Sequence, residues 1–234
     1  MIKIFTHTHF GDQFTNFGFL KEFSYQYDKM ILTIEDKPWH IENVTRLYSS
    51  IKNLELTTER FSDNEYDKVF YSQWWFEQVK PWLENPQLPY TLGDNMRMDR
   101  FWYNIAQVPL YKKWDNFNFE RDLKKEKEVY YDVFGLKDNQ QFIFMHENIG
   151  IPAINRKYIN NMYQCIELTK YLEISPLDIL YTIEKAKEIH VINGACLAFI
   201  DVMQINHNNL FYHKYTRPCP VEQVALRLNW KIIE

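Results

Sequence analysis

The sequence predicts an α/β fold with parallel sheets, and three observations carry that prediction. In the first third, short apolar runs alternate with amphipathic stretches, and in the last third the alternation returns. In each of these thirds an apolar run opens directly onto small and polar residues, at His7–Asp12 and at Asn193–Ala195. Strand, helix and strand in succession is the pattern of parallel strands joined by helical crossovers.

Residues 2–5 (Ile-Lys-Ile-Phe) read as a buried first strand. From Gln13 to Tyr27, Phe14, Phe17, Leu20 and Phe23 recur at helical spacing, with Phe19 beside them. Gly18 lies inside that helix, where glycine costs about 1 kcal/mol against alanine. A close approach of another backbone would explain it. Met30–Ile34 predicts the second strand. Pro38 opens a helix reaching Ile51, because a first-turn proline loses only an N–H that has no helical partner. Strands near Leu54–Leu56 and Lys68–Tyr71 complete this third.

The middle changes character. Pro81, Pro86, Pro89 and Pro109 interrupt any long helix. Met96–Ala106 is its best helical piece, Trp74-Trp75-Phe76 reads as core, and residues 107–119 read as a crossover between two halves. Glu120–Phe134 predicts a charged amphipathic helix ended by Gly135. After it come a strand at Gln141–His146, a loop holding Gly150 and Pro152, and a strand near residues 165–169. Ser175 and Pro176 start a helix, with Ser175 as cap. Ile189–Ile192 predicts a strand, Ala195–Met203 a helix and Leu210–Tyr212 a strand. A final helix is expected over Val221–Leu228.

The chain has 234 residues, room for one large domain or two small ones. The expected division is 1–115 and 116–234. Net charge is −4, from 27 basic and 31 acidic residues without a long basic run, which argues against a large nucleic-acid footprint. Aromatic residues reach 17%, enough to build a core or to stack on sugars and bases. Cys165, Cys196 and Cys219 are odd in number and far apart, which fits a reducing cytosol. No apolar run approaches the ~20 residues that span a bilayer. A cytoplasmic location without stable membrane insertion is the expectation.

In parallel sheets ligands collect at the carboxyl ends of the strands. His7, His9, Gly11 and Asp12 follow the first strand. Either histidine can serve as a general base, since imidazole titrates near neutrality. Gly11 lets a ligand approach the backbone, and Asp12 can serve in the chemistry or cap the helix. Two histidines at this spacing also suit a metal, but no further ligands lie nearby in sequence. Asn193, Gly194 and Ala195 open a helix whose first N–H groups favour an anion. His190 precedes them, and Cys196 reads as a packing residue. Glu184 and Glu188 either serve the site or are solvated charges. His146 and Glu147 end another strand and are equally consistent with a base or ribose contact and a plain loop. His213, Tyr215 and Arg217 follow the last expected strand, where Arg217 can fork onto a diphosphate or form a surface ion pair.

Taken together, these stretches resemble small GT-B-type glycosyltransferases, in the style of the heptosyl- and fucosyltransferase groups. The resemblance runs through His7-Thr8-His9-Phe10-Gly11-Asp12, through Arg121-Asp122 with Glu126, and through His146-Glu147. It continues through Ile183-Glu184-Lys185-Ala186-Lys187-Glu188-Ile189-His190 to Asn193-Gly194, and closes on His213-Lys214-Tyr215-Thr216-Arg217. It implies two Rossmann-like halves with parallel sheets facing a central cleft, in a reduced GT-B-like form. The amino-terminal half would take the acceptor, with His9, Asp12 and His7 as catalytic candidates. The carboxyl-terminal half would bind the nucleotide sugar through Gly194, Ala195, Arg217 and their neighbours. The implied reaction moves a sugar from a nucleotide-sugar donor to an acceptor hydroxyl with no metal and no separate cofactor. The acceptor is left open among a glycan, a lipid-linked sugar, a protein and a modified nucleic-acid base. A non-catalytic nucleotide-sequestering protein, or a nucleotide-sugar hydrolase or epimerase, is the alternative on the same fold.

Overall fold

A computed structural model describes residues 1–6, 9–59, 69–71, 98–147, 153–216 and 225–234. His7, Arg217, Cys219, Trp74–Phe76, Gly150 and Pro152 lie outside the described residues. The chain divides into two compact units, Met1–Phe119 with Cys219–Ala225 and Glu120–Pro218 with Leu226–Glu234.

In the first unit β1 (Ile2–Phe5), β2 (Met30–Thr33), β3 (Leu54–Thr57) and β4 (Val69–Tyr71) form a parallel sheet in the order β3-β2-β1-β4. Helix α1 (Phe10–Ser24) is buried around most of its circumference, through Phe14, Phe17, Phe19, Leu20 and Phe23 but also Thr15, Asn16 and Gly18. Gly18 answers to its expected cause. A Cβ there would fall on the Tyr103 hydroxyl and the Lys112 carbonyl, and within 2.7 Å of Lys113 Cα. Those residues belong to α3 (Met98–Ile105) and α4 (Lys112–Asp115), so part of the expected crossover is a helix packed on α1. Asp99 and Lys113 form a buried ion pair at 2.9 Å, and both also hold the backbone of Ala225. Helix α2 (Pro38–Leu47) starts on its proline as expected and ends a turn earlier than Ile51.

The second unit carries β5 (Phe142–His146), β6 (Gln164–Glu167), β7 (Glu188–Val191), β8 (Leu210–His213) and β9 (Lys231–Ile233), all parallel, in the order β6-β5-β7-β8-β9. Helix α5 (Leu123–Glu128) is capped by the Asp122 carboxylate, which accepts the Lys125 N–H. It then widens into a π turn over Val129–Val133, and Gly135 ends it at φ +63°. A 3-10 turn capped by Ser175 precedes α6 (Leu180–Lys185). Helix α7 (Ala195–Val202) is apolar and enclosed, with Cys196 to Val202 all buried.

The expected helix over Val221–Leu228 is not formed in its described part, residues 225–228. The buried Asp201 carboxylate accepts the N–H groups of Arg227 and Leu228 and the indole N–H of Trp230, each at about 3 Å. A helix would need those two backbone donors for its own carbonyls. With them turned onto Asp201, the chain runs on into β9, a strand that local patterning did not indicate.

Candidate functional site

Each sheet reverses its strand order once, and a ligand crevice forms outside the carboxyl ends of strands at such a point. In the first sheet the reversal lies at β1 beside β4, and in the second at β5 beside β7. The loop after β1 carries His9 to Asp12. The loops after β5 and β7 carry His146-Glu147 and Asn193–Ala195. These three loops therefore leave the sheets beside a reversal point, whereas His213 and Tyr215 follow β8, one strand further along.

On the first unit's edge, exposed His9 occupies the N-cap position of α1 in extended conformation, without a side-chain cap bond. Asp12 is not the cap. It stands in the first turn, donates its own N–H to the His9 carbonyl at 3.0 Å, and sets a negative charge against the positive end of the helix. Gly11 is half-buried. Phe10 turns inward and meets Phe14 edge-on at 4.8 Å, while its ring also touches Trp39 at 5.3 Å and His40 at 6.1 Å. Burial lowers the pKa of His40, Glu35 opposes that shift, and the neighbouring Lys37 and His9 side chains add to it. His9, Glu35, Lys37 and Trp39 thus share one rim around His40.

The second unit's edge is more enclosed. The Ile192 N–H donates to the His146 carbonyl at 3.3 Å and ties the β5 and β7 loops together. His146 Nδ1 is buried without a hydrogen-bond partner, and desolvation pulls the ring down to about 4, so it is neutral at pH 7. Glu147 accepts the Ile154 N–H and lies 3.6 Å from Arg156, whose guanidinium also reaches Glu167 at 3.3 Å and stays half-exposed. Gly194 caps α7 in extended backbone with no side-chain cap bond, so the first-turn N–H groups point out of a helix that is otherwise sealed.

His190 and His213 are fully buried and bonded to each other, Nδ1 to Nε2, at 2.9 Å. Glu188 lies 3.1 Å from His190 Nε2. A carboxylate needs a donor, which puts the His190 proton on Nε2 and leaves its Nδ1 to accept from His213. His213 Nδ1 then holds a lone pair with no partner. Burial, and then the neighbouring His190, draws His213 down to about 4, and burial also lowers His190 against the pull of Glu188. The pair is neutral; His190 stacks on Phe211, while His213 meets Tyr158 at a tilt and Tyr215 edge-on, and the Tyr215 hydroxyl accepts the Asn155 N–H at 2.7 Å.

Two expected site residues fall elsewhere. Glu184 ends α6 just before β7, at the amino edge of the sheet, and its carboxylate is held by Arg121 at 2.6 Å. Arg121 grips buried Glu126 on its other side, also at 2.6 Å, so the triad staples α5 to α6. Glu188 opens β7 from that same amino edge. Sequence reasoning passed over Trp39, Arg156 and Tyr158. Each lies on a connection leaving a strand's carboxyl end, and scanning those connections for aromatic and guanidinium groups would have found them. Among the described residues, no group of three or more His, Cys, Asp or Glu side chains is placed to hold a metal ion. Nor is any described helix long and apolar enough to cross a membrane.

The two parallel sheets with their crossover helices form a GT-B-like α/β fold of two Rossmann-like units. A crystal structure of the glycosyl transferase family 9 protein from Veillonella parvula DSM 2008 is similar, with a TM-score of 0.56 over 99% of this chain and 85% of that one. Identity is 9%, so the likeness is one of fold. No family model and no curated protein matches the sequence.

Proposed function

We propose that this chain is a cytoplasmic glycosyltransferase that moves a sugar from a nucleotide-sugar donor to an acceptor hydroxyl without a metal ion. The observation that carries the reading is that, in each unit, the chemically equipped loop leaves the sheet where strand order reverses. The first unit takes the acceptor, and His9 or Asp12 accepts the proton of its hydroxyl. That oxygen attacks the anomeric carbon, and the bond from this carbon to the diphosphate breaks. The electron pair leaves with the diphosphate, whose growing charge meets the first-turn N–H groups after Gly194 and the Arg156 guanidinium. Arg217 is a further cation for the same group, and His7 a further candidate beside His9. Buried and neutral His190 and His213 are assigned to shaping the donor wall with Tyr215 rather than to charge on the diphosphate. His146, Glu147 and Asn193 line the nucleotide side of that wall.

Thermal unfolding with nucleoside diphosphates and nucleotide sugars tests the reading. A ligand at 100 times its dissociation constant adds ~2.7 kcal/mol to stability. The expected result is a clear upward shift with one nucleotide class, abolished by Gly194→Trp. With the donor found, His9→Ala or Asp12→Asn is expected to remove turnover while donor binding stays, and turnover is expected to survive a chelator. No shift with any nucleotide would refute the proposal.

A further inference from the structure

We propose that Tyr48, acting through Gln13 and Thr6, is the positioning residue for the two proton acceptors of the first unit, His9 and Asp12. The inference rests on the transferase reading for what His9 and Asp12 do, and on its own geometry for what holds them. Helix α1 starts without the usual anchor, because the His9 side chain makes no cap bond and Asp12 is not the cap. Gln13, the residue after Asp12, is fully buried in that first turn. A buried amide is costly unless its polar atoms are paired. Gln13 Nε2 donates to the Thr6 hydroxyl at 3.3 Å, and Gln13 Oε1 accepts from the Tyr48 hydroxyl at 2.9 Å. The same hydroxyl stands 2.9 Å from the Gln13 carbonyl oxygen.

Three elements meet in this way on one residue. Thr6 directly follows β1, Gln13 lies in the first turn of α1, and Tyr48 directly follows α2. All three side chains are buried. The Tyr48 ring stacks on Phe17 at 5.6 Å and 18°, one turn further along α1, so packing fixes the ring that carries the hydroxyl. Volume alone would be served by phenylalanine at 48 and leucine at 13. Paired polar groups fix an orientation as well, because a shift of α1 along or about its axis breaks a bond that water does not replace there. Burial, and then the charge of Asp12, raises the Tyr48 pKa, so the phenol keeps its proton and remains a donor throughout the neutral range. A group that must take a proton from a reacting hydroxyl loses about a hundredfold in rate for a misplacement of about 1 Å. The Thr6–Gln13–Tyr48 link is what holds the start of α1 against such a shift.

The test reads nucleoside-diphosphate release by the intact protein from the nucleotide sugar that stabilises it most in thermal unfolding. Backbone amide exchange across residues 9–13 is measured alongside. Tyr48→Phe keeps the ring and removes the donor. Val44→Ala is the control, since it takes buried packing from α2 without removing a hydrogen bond of the link. The expected result for Tyr48→Phe is kcat lower by about tenfold or more, a donor KM within about twofold, and exchange across 9–13 faster by about tenfold. Val44→Ala is expected to leave kcat within about twofold. Unchanged exchange in Tyr48→Phe overturns the proposal, as does faster exchange with kcat unchanged, or an equal loss of kcat in Val44→Ala. If the unaltered chain releases no diphosphate from any nucleotide sugar, the transferase reading falls and the positioning role with it. Release by the unaltered chain with any of the three overturning results removes the positioning role alone.

Discussion

The carboxyl edges of the two parallel sheets present opposite environments. On the first unit the edge is open: His9 and Trp39 face solvent, Asp12 and Gly11 are half-buried, and charged Glu35 and Lys37 pair at 3.1 Å. On the second unit the edge is closed over polar groups. His190 and His213 are sealed, and His146 is desolvated. An open rim can exchange protons with water and admit varied ligands. A sealed, neutral one offers shape and backbone donors. The difference matches the division of labour proposed above, a proton acceptor on one unit and an anion cradle on the other.

The largest expected effect belongs to Asp201, which closes the second unit at the amino edge of its sheet. Asp201→Ala leaves two backbone donors and the Trp230 indole without an acceptor and is expected to cost about 3 kcal/mol or more. Urea unfolding measures it, and Asp201→Asn, which keeps one oxygen, should cost less. A loss under about 1 kcal/mol would mean that water reaches these donors and that the second unit is not closed there.

Acid sharpens the same contrast. His146 titrates at 6.5 in an unfolded chain and at about 4 when folded. The folded state therefore resists a proton that the unfolded state accepts. Its stabilising contribution is complete above pH 6.5 and is lost as pH falls towards 4, by about 3 kcal/mol. Urea midpoints taken stepwise between pH 7 and pH 4 should fall, and His146→Phe should flatten the slope. His190 and His213 act in the same direction.

The smallest of these effects belongs to the first unit. Gly18→Ala gains helix propensity but drives a methyl group into the Lys112 backbone, and the net loss is expected at about 1–2 kcal/mol. A stabilised Gly18→Ala would show that α4 can move off α1.

Much of the architecture was legible because parallel strands and their crossovers are written locally. Apolar runs marked β1, β2, β5 and β7, Pro38 marked the start of α2, and Gly135 the end of the helical stretch before β5. Even the neighbour of Gly18 was legible in kind, since a glycine within a phenylalanine-rich helix marks a place where another backbone comes close. The losses came where distant residues decide. Nothing in Val221–Leu228 announces that Asp201, more than twenty positions earlier, will take its N–H groups. Nothing near Glu184 announces Arg121. Candidate positions were legible where a helix opens shortly after a strand, as at His9–Asp12 and Asn193–Ala195. Trp39 and Arg156 went unseen because their place depends on which loops share an edge.

The anchoring of residues 225–230 bears on the order in which the protein can be made. Asp99 and Lys113 of the first unit wait for the backbone of Ala225, and Asp201 of the second waits for Arg227, Leu228 and Trp230. A nascent chain that has emerged only as far as β8 can assemble most of both sheets, yet Asp201 still awaits three donors and the Asp99–Lys113 pair the Ala225 backbone. One short segment, residues 225–230, thus supplies late buried hydrogen bonds to both units.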